Sequence, residues 1–309
     1  MKPLLVCVFM AYAGAQPEKV VFDTDCAYFN DDGAALVMLL NRPQQVRIEG
    51  ITVVPGNFWP ATGSEYMLHI LKLMHRSDVP LYFGAQAPLV HTRAMVRKET
   101  GIEYLGAFAR DAPKYSGPTK AVDFLIETID KSPGNVTVLA LGPMTNIAIA
   151  LRLRPDLQSK IGRIVFMGGK LNGKEFNFWF DPEAAQIVLR SAIAKKVMFG
   201  LDICDHAPID KAHADQITAK TPIADLYRDD RVKNPSPYVW DTLAAAYLLD
   251  PKFVTKRETD YLDVETTFGK NYGSVMPLDR TLAPEATPVE VMLDLDFERF
   301  FALFKSLIH

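Results

Sequence analysis

Six short apolar runs, each bounded by turn residues and separated by amphipathic stretches, constrain the fold of this chain more than any other feature. Lys19–Phe22, Arg47–Val54, Pro80–Phe83, Val136–Leu141, Arg163–Met167 and Lys196–Leu201 read as short, mostly β-branched strands. Between them, helical patterns cover Asp32–Leu40, Ser64–Met74, Ala121–Lys131, Thr145–Leu151 and Asp181–Leu189, and a further one covers Thr242–Leu249. Strands that are apolar throughout, rather than on alternate residues, are buried on both faces, and intervening helices supply the crossovers of a parallel sheet. The reading is therefore α/β, with a central, mostly parallel, twisted sheet flanked by helices. No Pro/Gly/Ser-rich linker and no internal repeat divides the chain, so residues 16–309 are expected to form one domain. In open sheets of this kind, ligands bind beyond the carboxyl ends of the strands. Polar clusters stand there after Phe22, Val54, Leu141 and Met167.

Composition narrows the function only by exclusion. Of 309 residues, 49% are hydrophobic and 23% charged, which rules out a disordered chain and leaves material for a large core. A net charge of −3 argues against a nucleic-acid binder, which normally carries a basic excess. Three cysteines are too few for a disulfide scaffold and lack the short spacings of a zinc site. The N-terminus has Lys2, an apolar run from Leu4 to Ala13, and small residues at Ala13 and Ala15. These are the parts of a signal peptide over residues 1–15 with cleavage after Ala15, the alternatives being an ordinary strand or leader. The apolar run is far shorter than the roughly 20 residues of a membrane-spanning helix, and no later segment suits one. Export to a periplasm or medium follows if the segment is a signal, and a cytoplasmic location otherwise. Mature protein would keep Cys26 and Cys204, paired or free. Asn135-Val136-Thr137 fits a glycosylation acceptor but opens an apolar run, so a buried strand is the better reading.

The chemistry is concentrated in Val20-Val21-Phe22-Asp23-Thr24-Asp25-Cys26-Ala27-Tyr28-Phe29-Asn30-Asp31-Asp32, where a strand gives way to a helix. Four carboxylates this close repel one another and raise each other's pKa. A bound divalent cation removes the conflict, and an all-oxygen donor set suits a hard ion such as calcium or magnesium. Helix capping is the plain alternative for Asp31 and Asp32, but it leaves Asp23 and Asp25 unexplained. Further along come Leu141-Gly142-Pro143-Met144-Thr145-Asn146, then Met167-Gly168-Gly169, Glu175-Phe176-Asn177, Asp181-Pro182-Glu183, and finally Trp240-Asp241.

In this order, from Lys19 to about Phe297, the motifs resemble the inosine–uridine type of nucleoside hydrolase. The resemblance implies a Rossmann-like single domain holding one calcium ion at the bottom of its pocket. It implies Asp25, Asp32 and Asp241 as side-chain ligands, with the main-chain carbonyl of Leu141 as a fourth. Asp25 would also be the catalytic general base on the attacking water. Asp31 and Asn57 match ribose-binding positions, Asn172, Glu175 and Asn177 match those gripping the upper sugar hydroxyls, and Asp23 looks like a support behind them. The alignment of Asn172 is ambiguous because the loop from Gly169 to Glu175 is short. The implied partner is a small-molecule ribonucleoside, with a homo-oligomer, dimer or tetramer, as the common assembly.

The inventory also has a physical rationale. Cleaving an N-ribosidic bond passes through an oxocarbenium-like sugar, as in glycoside hydrolysis. Carboxylates and amide oxygens arranged around that charge stabilise it, and a carboxylate base contributes about 10²–10⁴-fold.

Three departures from the family pattern matter. Where many members carry an imidazole before the C-terminal metal aspartate, this chain has Trp240. A purine-preferring branch shares that tryptophan, and an indole face favours a protonated, cationic base, although an indole at a helix start is also ordinary core. The stretch Thr100-Gly101-Ile102-Glu103-Tyr104-Leu105-Gly106 has Thr100 in place of another family histidine, and His69, His75, His91, His206 and His213 read as surface or structural. Trp59, with Tyr104 or Trp179, is a candidate second wall for the base. Finally, Cys26-Ala27-Tyr28 replaces a glycine-containing turn, which removes the residue that makes a left-handed turn easily. Hydrolysis of ribonucleosides, preferring purines, is the leading function. Capture without hydrolysis, and a magnesium phosphohydrolase using Asp23-Thr24-Asp25, are the alternatives.

Overall fold

All six expected strands form, within two residues of the bounds read from the sequence: β1 (Glu18–Thr24), β2 (Val46–Val53), β3 (Leu81–Phe83), β4 (Val136–Ala140), β5 (Arg163–Met167) and β6 (Lys196–Phe199). Four more follow: β7 (Val254–Asp260), β8 (Leu262–Val264), β9 (Val275–Pro277) and β10 (Val289–Leu295). The computed structural model describes residues 16–26, 29–100, 106–109, 111–114, 117–233 and 237–309, so the expected signal segment 1–15 lies outside them. Eight strands make one sheet in the order β3-β2-β1-β4-β5-β6-β10-β7, and β8 pairs with β9 apart from it. Every pairing in the large sheet is parallel except β10 with β7. That antiparallel edge strand, Val254-Thr255-Lys256-Arg257-Glu258-Thr259-Asp260, is too charged to read as part of an apolar sheet, and its exposed charges protect the edge from pairing with another chain.

Alternation along the strands explains the two-sided burial. Val20 and Phe22 of β1, Leu139 of β4 and Val165 of β5 face one core. Val21, Val138, Ala140, Ile164 and Phe166 face the other. The second core is closed by helices Ala121–Lys131, Thr145–Leu153 and Pro182–Leu189. The first is closed by helices Ala34–Leu40, Pro60–Leu73, Pro222–Lys233, Trp240–Leu249 and Phe297–Leu307. Helices Ala34–Leu40 and Trp240–Leu249 lie against each other. From Ala34 to Leu40 and from Asp241 to Leu249 no residue is more than 9% exposed, as befits helices apolar on all sides. The helix expected from Ser64 starts four residues earlier, with Pro60 in its first turn, where a missing N–H costs nothing. The helix expected from Asp181 begins at Pro182, with the Asp181 carboxylate capping it through the Ala184 N–H at 3.1 Å. Asn135-Val136-Thr137 does open a buried strand, and Thr137 donates its hydroxyl to Glu18.

At the opposite end of the strands from the polar clusters, Lys196 is 1% exposed at the start of β6, its ammonium donating to the carbonyls of Leu189 and Ser191, both at 2.7 Å. Burial pushes its pKa down to about 7. The unfolded chain therefore binds more protons than the folded one between that value and the ordinary 10.5, so this group makes stability rise with pH across that window. Thermal melts of the wild type and Lys196→Met are expected to show the wild type gaining relative to the variant as pH rises from about 7 towards 10. A difference that stays flat would refute the buried ammonium.

Candidate active site

The chain leaves β1 outward to β2 and β3, then returns to β4 on the other side of β1, so the sheet's strand order reverses between β1 and β4. A crevice opens at such a reversal, beyond the carboxyl ends of the strands. Asp25 follows β1 directly and Leu141 follows β4 directly, and the Leu141 N–H donates to the Asp23 carbonyl at 2.8 Å. Glycines let the neighbouring loops close on Asp25. A Cβ on Gly56 would lie 2.0 Å from Asp25 Oδ2, and one on Gly142 would lie 2.8 Å from Asp25 Cβ. Both contacts are below any tolerated approach, so the loops after β2 and β4 grip this carboxylate only because they carry no side chain there.

Each acid is then held by a specific donor. Asp25 Oδ2 accepts the Asn57 N–H at 2.7 Å, while its Oδ1 is buried without a protein partner. Thr24 donates its hydroxyl to Asp32 Oδ1 and receives the Cys26 N–H at 3.0 Å. Asp31 and Asp32 sit in a single π-helical turn, Phe29–Gly33, that leads into helix Ala34–Leu40, and such turns recur at functional sites. Asp31 Oδ1 accepts the Asp241 N–H at 2.8 Å, at the start of helix Trp240–Leu249, whose own N-cap residue Val239 offers no side-chain acceptor. The capping alternative is thus half right, for Asp31 caps a helix two hundred residues away instead of its own. Asp23 lies behind, inside β1, accepting from Thr52 Oγ1 at 2.5 Å and Asn146 Nδ2 at 2.8 Å, and burial raises its pKa to about 7.

Asp25, Asp31, Asp32 and Asp241 are at most 7% exposed. Burial first, and then the charges of neighbouring acids, push the carboxyl pKa of Asp25, Asp31 and Asp241 well above the ordinary range; Asp32 acts on all three. Arg231 offsets part of the repulsion at Asp31. Among the described residues no three ligating side chains already form a cage around one point. The donor set nevertheless fits a hard divalent cation. It is all oxygen, its charges are unbalanced, and Asp25 Oδ1 is a buried acceptor that no protein group satisfies. Asp25, Asp32 and Asp241 are the side chains that would hold the ion.

The residues expected at the substrate divide. Asn177 donates both amide hydrogens to main chain, at 3.2 Å to the Leu141 carbonyl and 3.1 Å to that of Met167, which leaves its buried Oδ1 as an acceptor without a protein partner. Leu141 thus stands beside the acids, and its carbonyl accepts a hydrogen from the Asn177 amide. Glu175 caps helix Phe176–Phe180 by accepting the N–H groups of Gly169, Asn177 and Phe178 at 2.8, 2.8 and 3.1 Å, a structural task the sequence did not announce. Asn172 is exposed in a turn at φ 54°, a left-handed position asparagine tolerates, and turn-making accounts for it without a ligand. Trp240 is half-buried at the start of its helix, with Nε1 donating to Asp205 Oδ1 at 3.4 Å and the Tyr238 ring stacked on it.

Other expectations resolve as follows. Cys26 takes φ 39°, so the loop makes its left-handed turn without glycine, at a strained residue that is 1% exposed. Cys26 and Cys204 are both buried and free. His69, His75 and His206 are exposed and His213 half-buried. His91 is buried, its Nδ1 3.1 Å from the Trp179 carbonyl and its ring against Phe108, Trp179 and Tyr272. Trp59 meets Phe108 edge to face at 6.2 Å, and the Ala107 N–H reaches the Gly56 carbonyl at 2.7 Å, which brings this aromatic group beside the acids. Tyr104 lies outside the described residues, as do the side chain of Thr100 and residues 27–28. Sequence reading missed Thr24, Thr52, Gly56 and Tyr238.

The match to known proteins agrees with this geometry. The family model for inosine-uridine preferring nucleoside hydrolase covers residues 20–302. The pyrimidine-specific ribonucleoside hydrolase RihA of Citrobacter koseri is 32% identical over 303 residues, 92% of this chain and 96% of that protein. Among solved structures, the purine-preferring ribonucleoside hydrolase from Gardnerella vaginalis superposes with a TM-score of 0.78 at 26% identity, covering 94% of this chain and 98% of that one. The inosine-uridine preferring nucleoside hydrolase of Bacillus anthracis shares the fold at a TM-score of 0.75 and 23% identity, over 94% and 99% of the two chains. With its buried acids at the reversal of a mostly parallel sheet, the chain belongs to the inosine-uridine preferring nucleoside hydrolase family and is a nucleoside N-ribohydrolase.

Proposed function

We propose that this protein hydrolyses the N-glycosidic bond of purine ribonucleosides in a calcium-dependent reaction, giving free base and ribose. The observation that carries the chemistry is the asymmetry of Asp25: one oxygen is fixed by the Asn57 N–H and the other is buried with no protein partner. A bound calcium ion would offset the clustered charge and orient the water and the lower ribose hydroxyls. Asp25 takes the proton from the attacking water through its free oxygen. Asn177 Oδ1, its amide hydrogens already committed, presents a fixed dipole to the sugar as positive charge develops, and needs no reorganisation to do so. Glu175 contributes by holding Asn177 in place through the capping contact at 2.8 Å. Asp31, beyond its hold on the Asp241 N–H, and Asn57 are assigned to the ribose hydroxyls.

Purine preference rests on Trp240, a half-buried indole next to Asp241. The pyrimidine-specific relatives support a second reading, with the same chemistry on uridine or cytidine. Export through the N-terminal segment, and a dimer or tetramer, complete the proposal. An intact mass beginning at Gln16 from secreted material is expected, and one beginning at Met1 would remove the export reading.

Purified protein incubated with inosine, guanosine, adenosine, uridine and cytidine should release purine bases fastest. Chelation should abolish release and lower the melting temperature, because the acids then repel without relief, and calcium should restore both. Faster release of uracil or cytosine would favour the second reading, and no release with calcium present would remove both. Asp25→Asn should fold and lose at least about 10²-fold in turnover. Gly56→Ala, which drives a methyl group into Asp25 Oδ2, should lose activity towards the same level; normal turnover would refute the grip on Asp25.

A further inference from the structure

The base-holding end of the site contains a second ring. Val239, at φ −135° and ψ 54° and 1% exposed, turns into the core, and Tyr238 and Trp240 on either side of it are both half-buried. Their rings lie nearly parallel, with planes 14° apart and centroids 5.4 Å apart, an offset stack. The indole is also held at its edge, by the Nε1 hydrogen bond to Asp205 at 3.4 Å. The carbonyl of the same residue accepts the Cys204 thiol hydrogen at 3.8 Å. Trp240 is thus fixed by a face, an edge and its backbone, one residue from an acid that is only 3% exposed.

We propose that Tyr238 is a specificity-determining positioning residue, which sets the tilt of the Trp240 indole and thereby raises discrimination for purines over pyrimidines. This rests on the reading of Trp240 as the surface that receives the base. Stacking energy scales with ring overlap and depends on the angle between planes. A bicyclic purine overlaps both rings of an indole, and a pyrimidine overlaps about one. An indole free to tilt therefore costs a purine more. The phenol behind it also adds electron density to the stack, which favours protonation of the base and so makes it a better leaving group, the positive charge passing to the ribose as the bond breaks. Asp205 serves the same end by stopping rotation about the indole's long axis.

The test compares wild type, Tyr238→Phe, Tyr238→Leu and Tyr238→Met, each checked for folding by circular dichroism. Binding of free hypoxanthine and free uracil is followed by tryptophan fluorescence, with Trp240→Phe assigning the signal. Release of base from inosine and uridine gives kcat and KM separately. Losing the ring in Y238L or Y238M should lower the hypoxanthine-to-uracil affinity ratio, and the inosine-to-uridine ratio of kcat/KM, by about 3- to 10-fold, the range one aromatic pair supplies. Y238F should keep both ratios. Equal losses for both bases, or unchanged ratios in whichever aliphatic variant folds, would overturn the proposal. The binding arm does not need turnover. A wild type that releases no base would count against hydrolysis alone, while the free-base ratios still decide the role of Tyr238.

Discussion

The mutual repulsion of Asp25, Asp31, Asp32 and Asp241 is the constraint around which the rest of the structure is arranged. Like charges buried together destabilise a fold unless they are neutralised by protons or by a cation. The chain supplies partial relief, through the Asn57 and Asp241 N–H groups, the Thr24 hydroxyl and the distant charge of Arg231. Among these four acids, Asp25 Oδ1 is buried without a protein partner. Binding a cation to such a set releases protons that the raised pKa values would otherwise retain, so ion affinity, pH and stability are linked.

Bringing those acids together requires features that have no chemistry of their own. Helices Ala34–Leu40 and Trp240–Leu249 are buried side by side, and both begin at the carboxyl end of β1. That is what sets Asp32 and Asp241, more than two hundred residues apart, against the same point. The alanines at 244–246 keep the second helix slim enough to sit inside the core. Gly56 and Gly142 then allow two loops within contact of Asp25. A larger residue at one of the alanines would displace an acid from a distance, and one at Gly56 or Gly142 would press on Asp25 directly.

Much of this was legible in the sequence, for reasons that differ by element. The central strands were visible because strands buried on both faces are apolar throughout, and the active acids because carboxylates seldom cluster without cause. The edge strand β7 was not visible, since Val254–Asp260 is exposed and charged, and nothing in its period distinguishes it from a loop. Glu175 and Asn172 show another limit. A motif places Glu175 at the sugar, but only coordinates reveal that three backbone N–H groups already occupy its carboxylate. For Asn172, a left-handed turn explains the residue as well as a ligand would. The turn at Cys26 corrects a rule taken too strictly. Loss of glycine raises the cost of positive φ but does not forbid it when Thr24 receives the Cys26 N–H and burial holds the side chain.

The two ends of the site are built differently, and this bears on how base preference arises. At the proposed ribose end, Asp25, Asp31, Asp32, Asn177 and Asp241 are buried, and at least Asp25, Asp31 and Asn177 are tied to main-chain atoms. A substitution there disturbs the sheet's own carboxyl edge, so this half tolerates little change. At the proposed base end, Trp240 and Tyr238 are half-buried, with their rings stacked and the indole Nε1 donating to an exposed aspartate. Overall similarity between chains averages over the whole sheet and its helices, whereas the choice of base is made by a few half-exposed side chains. Proteins of one fold and one ribose chemistry can therefore differ in the base they accept, and on the proposed reading of Trp240 as the surface that receives the base, residues 238 and 240 bear on that choice more than overall resemblance to a relative does.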